Sequence, residues 1–72
     1  MMLTMTKIGD RLRRLRRERM FTQLQLAERA GVAHTTISRI ESGAIEYPRF
    51  DTIRDLAAAL GIDPAELVRG GE

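Results

Sequence analysis

Four side chains near the middle of the 72-residue chain offer the most versatile hydrogen-bonding chemistry: His34, Thr35, Ser38 and Arg39. Positions i, i+1, i+4 and i+5 fall on one side of a helix, so these groups would form a short surface of donors and acceptors. Such a surface suits the edges of base pairs, which present mixed donors and acceptors in a duplex groove. It does not suit metal binding or catalysis. His34 is the single histidine and there is no cysteine, so a ligand set for a metal is missing. No Ser or Cys nucleophile stands with a base at a pocket either. The chain is expected to be no enzyme and to need no cofactor and no metal.

A short polar surface is useful only if something holds it away from the body of the protein. Thr22 opens a helix with a capping box, its hydroxyl accepting from the Gln25 amide while the Gln25 side chain reaches back. This second helix starts at Gln23, buries Leu26, Ala27 and Ala30, and stops at Gly31, a residue suited to a left-handed turn. Val32 is an apolar link. A third helix is predicted over residues 33–42, with Ile37 and Ile40 inward and Gly43 as its stop. Two short helices joined by a glycine-containing turn of about three residues thus precede and carry the polar face. For them to cross closely the contact residue must be small, which Ala27 satisfies.

The flanking elements supply the scaffold. Ile8, Leu12 and Leu15 recur at i, i+4 and i+7, predicting a first helix over residues 6–19 with Thr6 as its cap. Asp10 stands four residues before Arg14, and the sides away from the apolar stripe are almost wholly arginine. Residues 43–49, with Pro48, read as a loop. Phe50, Ile53, Leu56, Ala57 and Leu60 trace a fourth helix ending at Gly61, and Asp63-Pro64-Ala65-Glu66 starts a fifth of one or two turns. The chain reads as a single all-α domain with its core over about residues 6–69, and residues 1–5 and 70–72 are expected to fray.

Composition bounds the alternatives. With 43% apolar, 31% charged and 4% aromatic residues, the chain is too apolar for disorder and too polar to span a membrane. Its start lacks the apolar run of a signal peptide, which points to the cytoplasm. Without disulfides, so small a core needs efficient packing or a second subunit. The net charge of +2 is unevenly spread: residues 1–19 hold seven Lys/Arg against two Asp/Glu, while residues 50–72 hold two against five. A basic N-terminal half suits a phosphate backbone, and the same run suits a merely solvated helix face.

Five fragments in order carry a family resemblance: Ile8 to Arg16; Thr22-Gln23 with Leu26-Ala27; Gly31-Val32; Thr36 to Gly43; and Pro48 with the Leu56 to Gly61 run. From about Ile8 to Leu67 the chain resembles the helix-turn-helix domain of the phage-repressor and Cro-like (XRE-type) family. The resemblance implies a compact five-helix, lambda-repressor-like DNA-binding domain whose helix-turn-helix is formed by the second and third helices. It implies that the third helix lies in the major groove with His34, Thr35, Ser38 and Arg39 reading base edges. Arg39 would make a bidentate contact to guanine, and Thr35 would meet a thymine methyl or a base acceptor. Gln23, Thr36, Ser42 and Arg49 would bind phosphates and so set register. Arg16 and Glu41 match the family's partly buried ion pair, which gives a glutamate at a helix C-terminus a reason to be there.

Two positions depart from the family pattern. Ala33 and Arg49 stand where Ser or Thr commonly caps the third and fourth helices, a loss of about 1 kcal/mol each. Leu24 is outward in the family arrangement, and Tyr47 sits in the loop. Ala58, Leu67 and Val68 exceed the needs of the interior, which suggests a homodimer through the fourth and fifth helices. The expected function is sequence-specific binding of double-stranded DNA and transcriptional regulation, as a repressor on a palindromic operator. An antitoxin with a toxin or other protein partner, a restriction-modification controller, and a helical adaptor that binds protein alone are the alternatives.

Overall fold

Local chemistry at the helix ends sets the architecture. In the computed structural model, which describes residues 7–69, the chain forms α1 (Ile8–Glu18), α2 (Gln23–Ala30), α3 (His34–Ser42), α4 (Phe50–Leu60) and α5 (Pro64–Arg69). The Thr22–Gln25 capping box forms with both reciprocal hydrogen bonds, at 3.0 and 2.8 Å. Gly31 ends α2 at φ 70, a conformation that costs an L side chain roughly 1–2 kcal/mol. Asp63 Oδ1 accepts from the Ala65 amide at the start of α5. Ala33 and Arg49, lacking a suitable side chain, cap α3 and α4 without any side-chain hydrogen bond.

The five helices share one apolar core. Leu12 of α1, Leu26 of α2, Ile37 and Ile40 of α3, Leu56 of α4 and Leu67 of α5 are fully buried or nearly so. Each such side chain removed from water contributes roughly 1.5–3 kcal/mol. α1 and α3 come close together where Gly9 sits against the backbone of Ile40 and Glu41. A Cβ at Gly9 would overlap the Ile40 carbonyl oxygen and lie 3.2 Å from the Glu41 Cα. The absence of a side chain at Gly9 therefore fixes how near α3 rests on its support.

Several expectations need correction. The cap of α1 is Lys7, with no side-chain hydrogen bond; Thr6 and the segments 1–5 and 70–72 expected to fray lie outside the described residues. Arg14 pairs forward with Glu18 at 3.9 Å rather than back to Asp10. Phe50 is 69% exposed although it stands in phase with Ile53, because a shared stripe does not ensure that a neighbouring element reaches the first turn. Leu67 is not surplus apolar surface but part of the core, since α5 packs on both α1 and α4.

The arginine-rich sides of α1 are not simply solvated. Arg11 is buried and donates through Nε to the Leu67 carbonyl at 2.7 Å and through Nη2 to the Val68 carbonyl. Arg13 donates to the Glu41 carbonyl at 3.0 Å, and Arg19 to the Leu60 carbonyl at 2.6 Å. These carbonyls belong to the last turns of α5, α3 and α4, which lack partners within their own helices. α1 and its C-cap residue Arg19 thus supply cations to the negative ends of three other helices.

Candidate nucleic-acid interface

α3 is short and depends on what lies beneath it. Ile37 and Ile40 lock its inner side into the core, which also includes Ala27 of α2, 4% exposed. The opposite side carries His34, Thr35, Ser38 and Arg39, all exposed. Among the described residues no hydrogen bond or ion pair engages the side chains of Thr35, Ser38 or Arg39. That leaves their donors and acceptors available to an external partner. The Arg39 guanidinium, planar and permanently charged, presents a fork that matches two acceptors on one edge.

Next to this face, a buried network joins three helices. Arg16 on α1 grips the Glu41 carboxylate on α3 with Nε to Oε2 at 2.7 Å and Nη2 to Oε1 at 2.9 Å, a bidentate pair. Its remaining Nη1 donates to the Phe21 carbonyl at 2.8 Å. Gln23, the first residue of α2, donates from Nε2 to Glu41 Oε1 at 3.0 Å. Arg13 adds a looser ion pair, Nε to Oε1, at 3.5 Å. Burial works against the charged form of Glu41. The hydrogen bonds from Arg16 and Gln23 and the charges of Arg16 and Arg13 outweigh it, holding the carboxyl below the ordinary carboxylate range. The hydrogen bond to Glu41 likewise raises the Arg16 guanidinium against the effect of burial.

The residues expected to meet phosphate sit in different settings. Gln23 opens α2, where the positive end of the helix favours an anion, and one of its two amide hydrogens is already given to Glu41. Ser42 is exposed but turned to its own chain, donating to the Arg39 carbonyl at 3.1 Å and accepting from the Ala44 amide at 3.3 Å. Thr36 is half-buried, and Arg49 is exposed at the start of α4. One link escaped the sequence: His34 Nε2 lies 3.2 Å from Gln23 Oε1, so the outer face of α3 is tied to the buried network. The capping box, which fixes where α2 starts, is the signal that places Gln23 there.

Comparison with known proteins agrees with this geometry. A family model described as a helix-turn-helix domain matches residues 7–69. The chain is 48% identical over 58 residues to the HTH-type transcriptional repressor RghR of Bacillus subtilis (strain 168), an alignment covering 81% of this chain and 43% of RghR. The chain therefore spans less than half the length of that relative. The N-terminal DNA-binding domain of SinR from Bacillus subtilis is similar at TM-score 0.81 and 32% identity, covering 83% of this chain and 87% of that one; SinR has also been solved in complex with DNA. The restriction-modification controller protein C.AhdI from Aeromonas hydrophila is similar at TM-score 0.81 and 35% identity, covering 88% and 94% of the two chains.

Proposed function

Because the chain belongs to the XRE/Cro-type helix-turn-helix family, we propose that it binds double-stranded DNA sequence-specifically and represses transcription as a homodimer. The observation that carries this reading is the outer face of α3. His34, Thr35, Ser38 and Arg39 are exposed together on a helix whose inner face is locked by Ile37 and Ile40. In this reading α3 enters the major groove, Arg39 takes guanine O6 and N7, and Thr35 meets a thymine methyl or a base acceptor. Gln23, Thr36, Ser42 and Arg49 hold phosphates and set the register. The relatives support it: RghR is a repressor, and SinR has been seen on DNA.

Dimerisation through α4 and α5 completes the reading. With Leu67 in the core, the surface left for it includes Ala58 and Val68, both exposed. Two copies would present α3 to half-sites about 34 Å apart on a two-fold symmetric operator. The compartment is the one that holds this DNA. Selection of bound duplexes from a random pool tests the reading, and a palindromic consensus is the expected outcome. Affinity for the selected duplex should fall steeply with salt, because several phosphate contacts release counterions. A protein that enriches no duplex would be a helical adaptor instead.

A further inference from the structure

The Glu41–Gln23–His34 chain of hydrogen bonds has a direction, and the direction reaches the outer face of α3. Glu41 is held ionised by Arg16, and an ionised carboxylate only accepts. The Gln23 amide must then turn its nitrogen toward Glu41, as the 3.0 Å contact from Nε2 to Oε1 shows. Its other end is an oxygen, which also only accepts, and this oxygen faces His34 Nε2 at 3.2 Å. A ring nitrogen beside a carbonyl oxygen must carry hydrogen. In a neutral imidazole the other nitrogen is then an acceptor.

We infer that Glu41, acting through the Gln23 amide, places the hydrogen of His34 on Nε2, so that α3 offers Nδ1 as an acceptor to an exocyclic amine of adenine or cytosine. The inference rests on the DNA-binding reading and adds the base chemistry that His34 takes. His34 touches the base, whereas Gln23 and Glu41 are positioning residues that act through it. An acceptor at this point selects the N6 amine of adenine or the N4 amine of cytosine. The O6 and N7 of guanine, both acceptors, are refused by a lone pair on Nδ1.

The first half is tested in the free protein, whose single histidine makes the ring nitrogens unambiguous. Long-range proton–nitrogen spectra at pH 8, where an ordinary imidazole is neutral, should show His34 with hydrogen on Nε2 alone. Gln23→Ala should return the ring to a mixture of both forms. Hydrogen on Nδ1 in the unaltered protein, or identical ring signals in the variant, would overturn the relay. The second half uses the duplex selected from the random pool. The base pair whose preference relaxes in His34→Ala is identified, and its exocyclic amine is removed by placing purine for adenine or a 4-deaminated pyrimidine for cytosine. Loss of that amine should weaken binding to the unaltered protein by about five- to tenfold, the effect of one hydrogen bond. It should be nearly without effect in His34→Ala, because the two groups form one contact. Equal weakening in both proteins, or an unchanged preference in His34→Ala, overturns the assignment of His34. Failure to enrich any duplex overturns the DNA-binding reading itself, and the spectra of the free protein still decide the relay.

Discussion

α1 and α3 are both short amphipathic helices with polar outer sides, and they spend those sides differently. Arg11, Arg13 and Arg16 of α1, and Arg19 at its C-cap, donate to carbonyls or a carboxylate of other elements. On α3, Thr35, Ser38 and Arg39 are exposed, and among the described residues their side chains have no hydrogen-bonding or ion-pair partner. Charge density alone would have put the DNA-facing surface on α1, the more basic helix. Partnership reverses that reading: a cation already bonded inside the molecule is structural, and an exposed group without a partner is available to a ligand. α1 is the support, and α3 is what it supports.

The largest effect should come where the two helices touch. Gly9→Ala puts a Cβ into the Ile40 carbonyl oxygen, and neither backbone can move without shifting α3 off the core. Overpacking of this kind costs about 3 kcal/mol, read as a lower urea midpoint at unchanged slope. A variant as stable as the parent would show that α3 can slide on α1. Glu41→Ala should follow at about 2.5 kcal/mol, since it leaves the Arg16 guanidinium with its main partner gone. The same carboxylate gives a pH signature. Its pKa is depressed in the fold, so its contribution is fully present above the ordinary carboxylate value of about 4.3. It is lost as pH falls through the lower folded value. The unaltered protein should therefore lose more stability below pH 5 than Glu41→Gln does; parallel acid curves would break the assignment.

The split between the two helices explains what the sequence disclosed. Helix ends were legible to within a residue or two because their signals are local: Thr22 with Gln25, Gly31, Gly43 and Gly61 as stops, Asp63 before Pro64. The outer face of α3 was legible for the same reason, since it follows from helical period and the inward pull of Ile37 and Ile40. The partners of the arginines were not. Arg11 meets Leu67 across 56 residues, and Arg19 meets Leu60 across 41; no periodicity along α1 can report which chain end will arrive beside it. Phe50 and Leu67 were misjudged by the same gap, because period assigns a face but not the neighbour that covers it. The Arg16–Glu41 pair, separated by 25 residues, was foreseen only through family resemblance.

Binding should separate the helices more sharply than stability does. Arg39→Ala should leave the stability within about 0.5 kcal/mol of the parent, as for other exposed positions. It should cost about 2 kcal/mol in affinity for the selected duplex, with relaxed preference at one base pair. Arg17→Ala, exposed on α1, should leave the preference at every base pair unchanged. Equal losses on every sequence for Arg39→Ala would move Arg39 into the backbone-binding class and leave His34, Thr35 and Ser38 to carry the readout.

The smallest effect tests the idea that α1 caps its neighbours. α4 has no basic residue in its last turn, and Arg19, at the C-cap of α1, reaches the Leu60 carbonyl there at 2.6 Å. A cation hydrogen-bonded to a helix C-terminus stabilises it through both the bond and the dipole, and partial exposure reduces the sum to about 1 kcal/mol. Arg19→Ala should cost that much, while Arg17→Ala in α1 should cost nothing measurable. If the two were equal, α1 would be a solvated basic face after all. A difference present at low salt and still present at high salt would mark the Arg19 contact as a hydrogen bond, because a purely coulombic attraction between exposed groups is screened away.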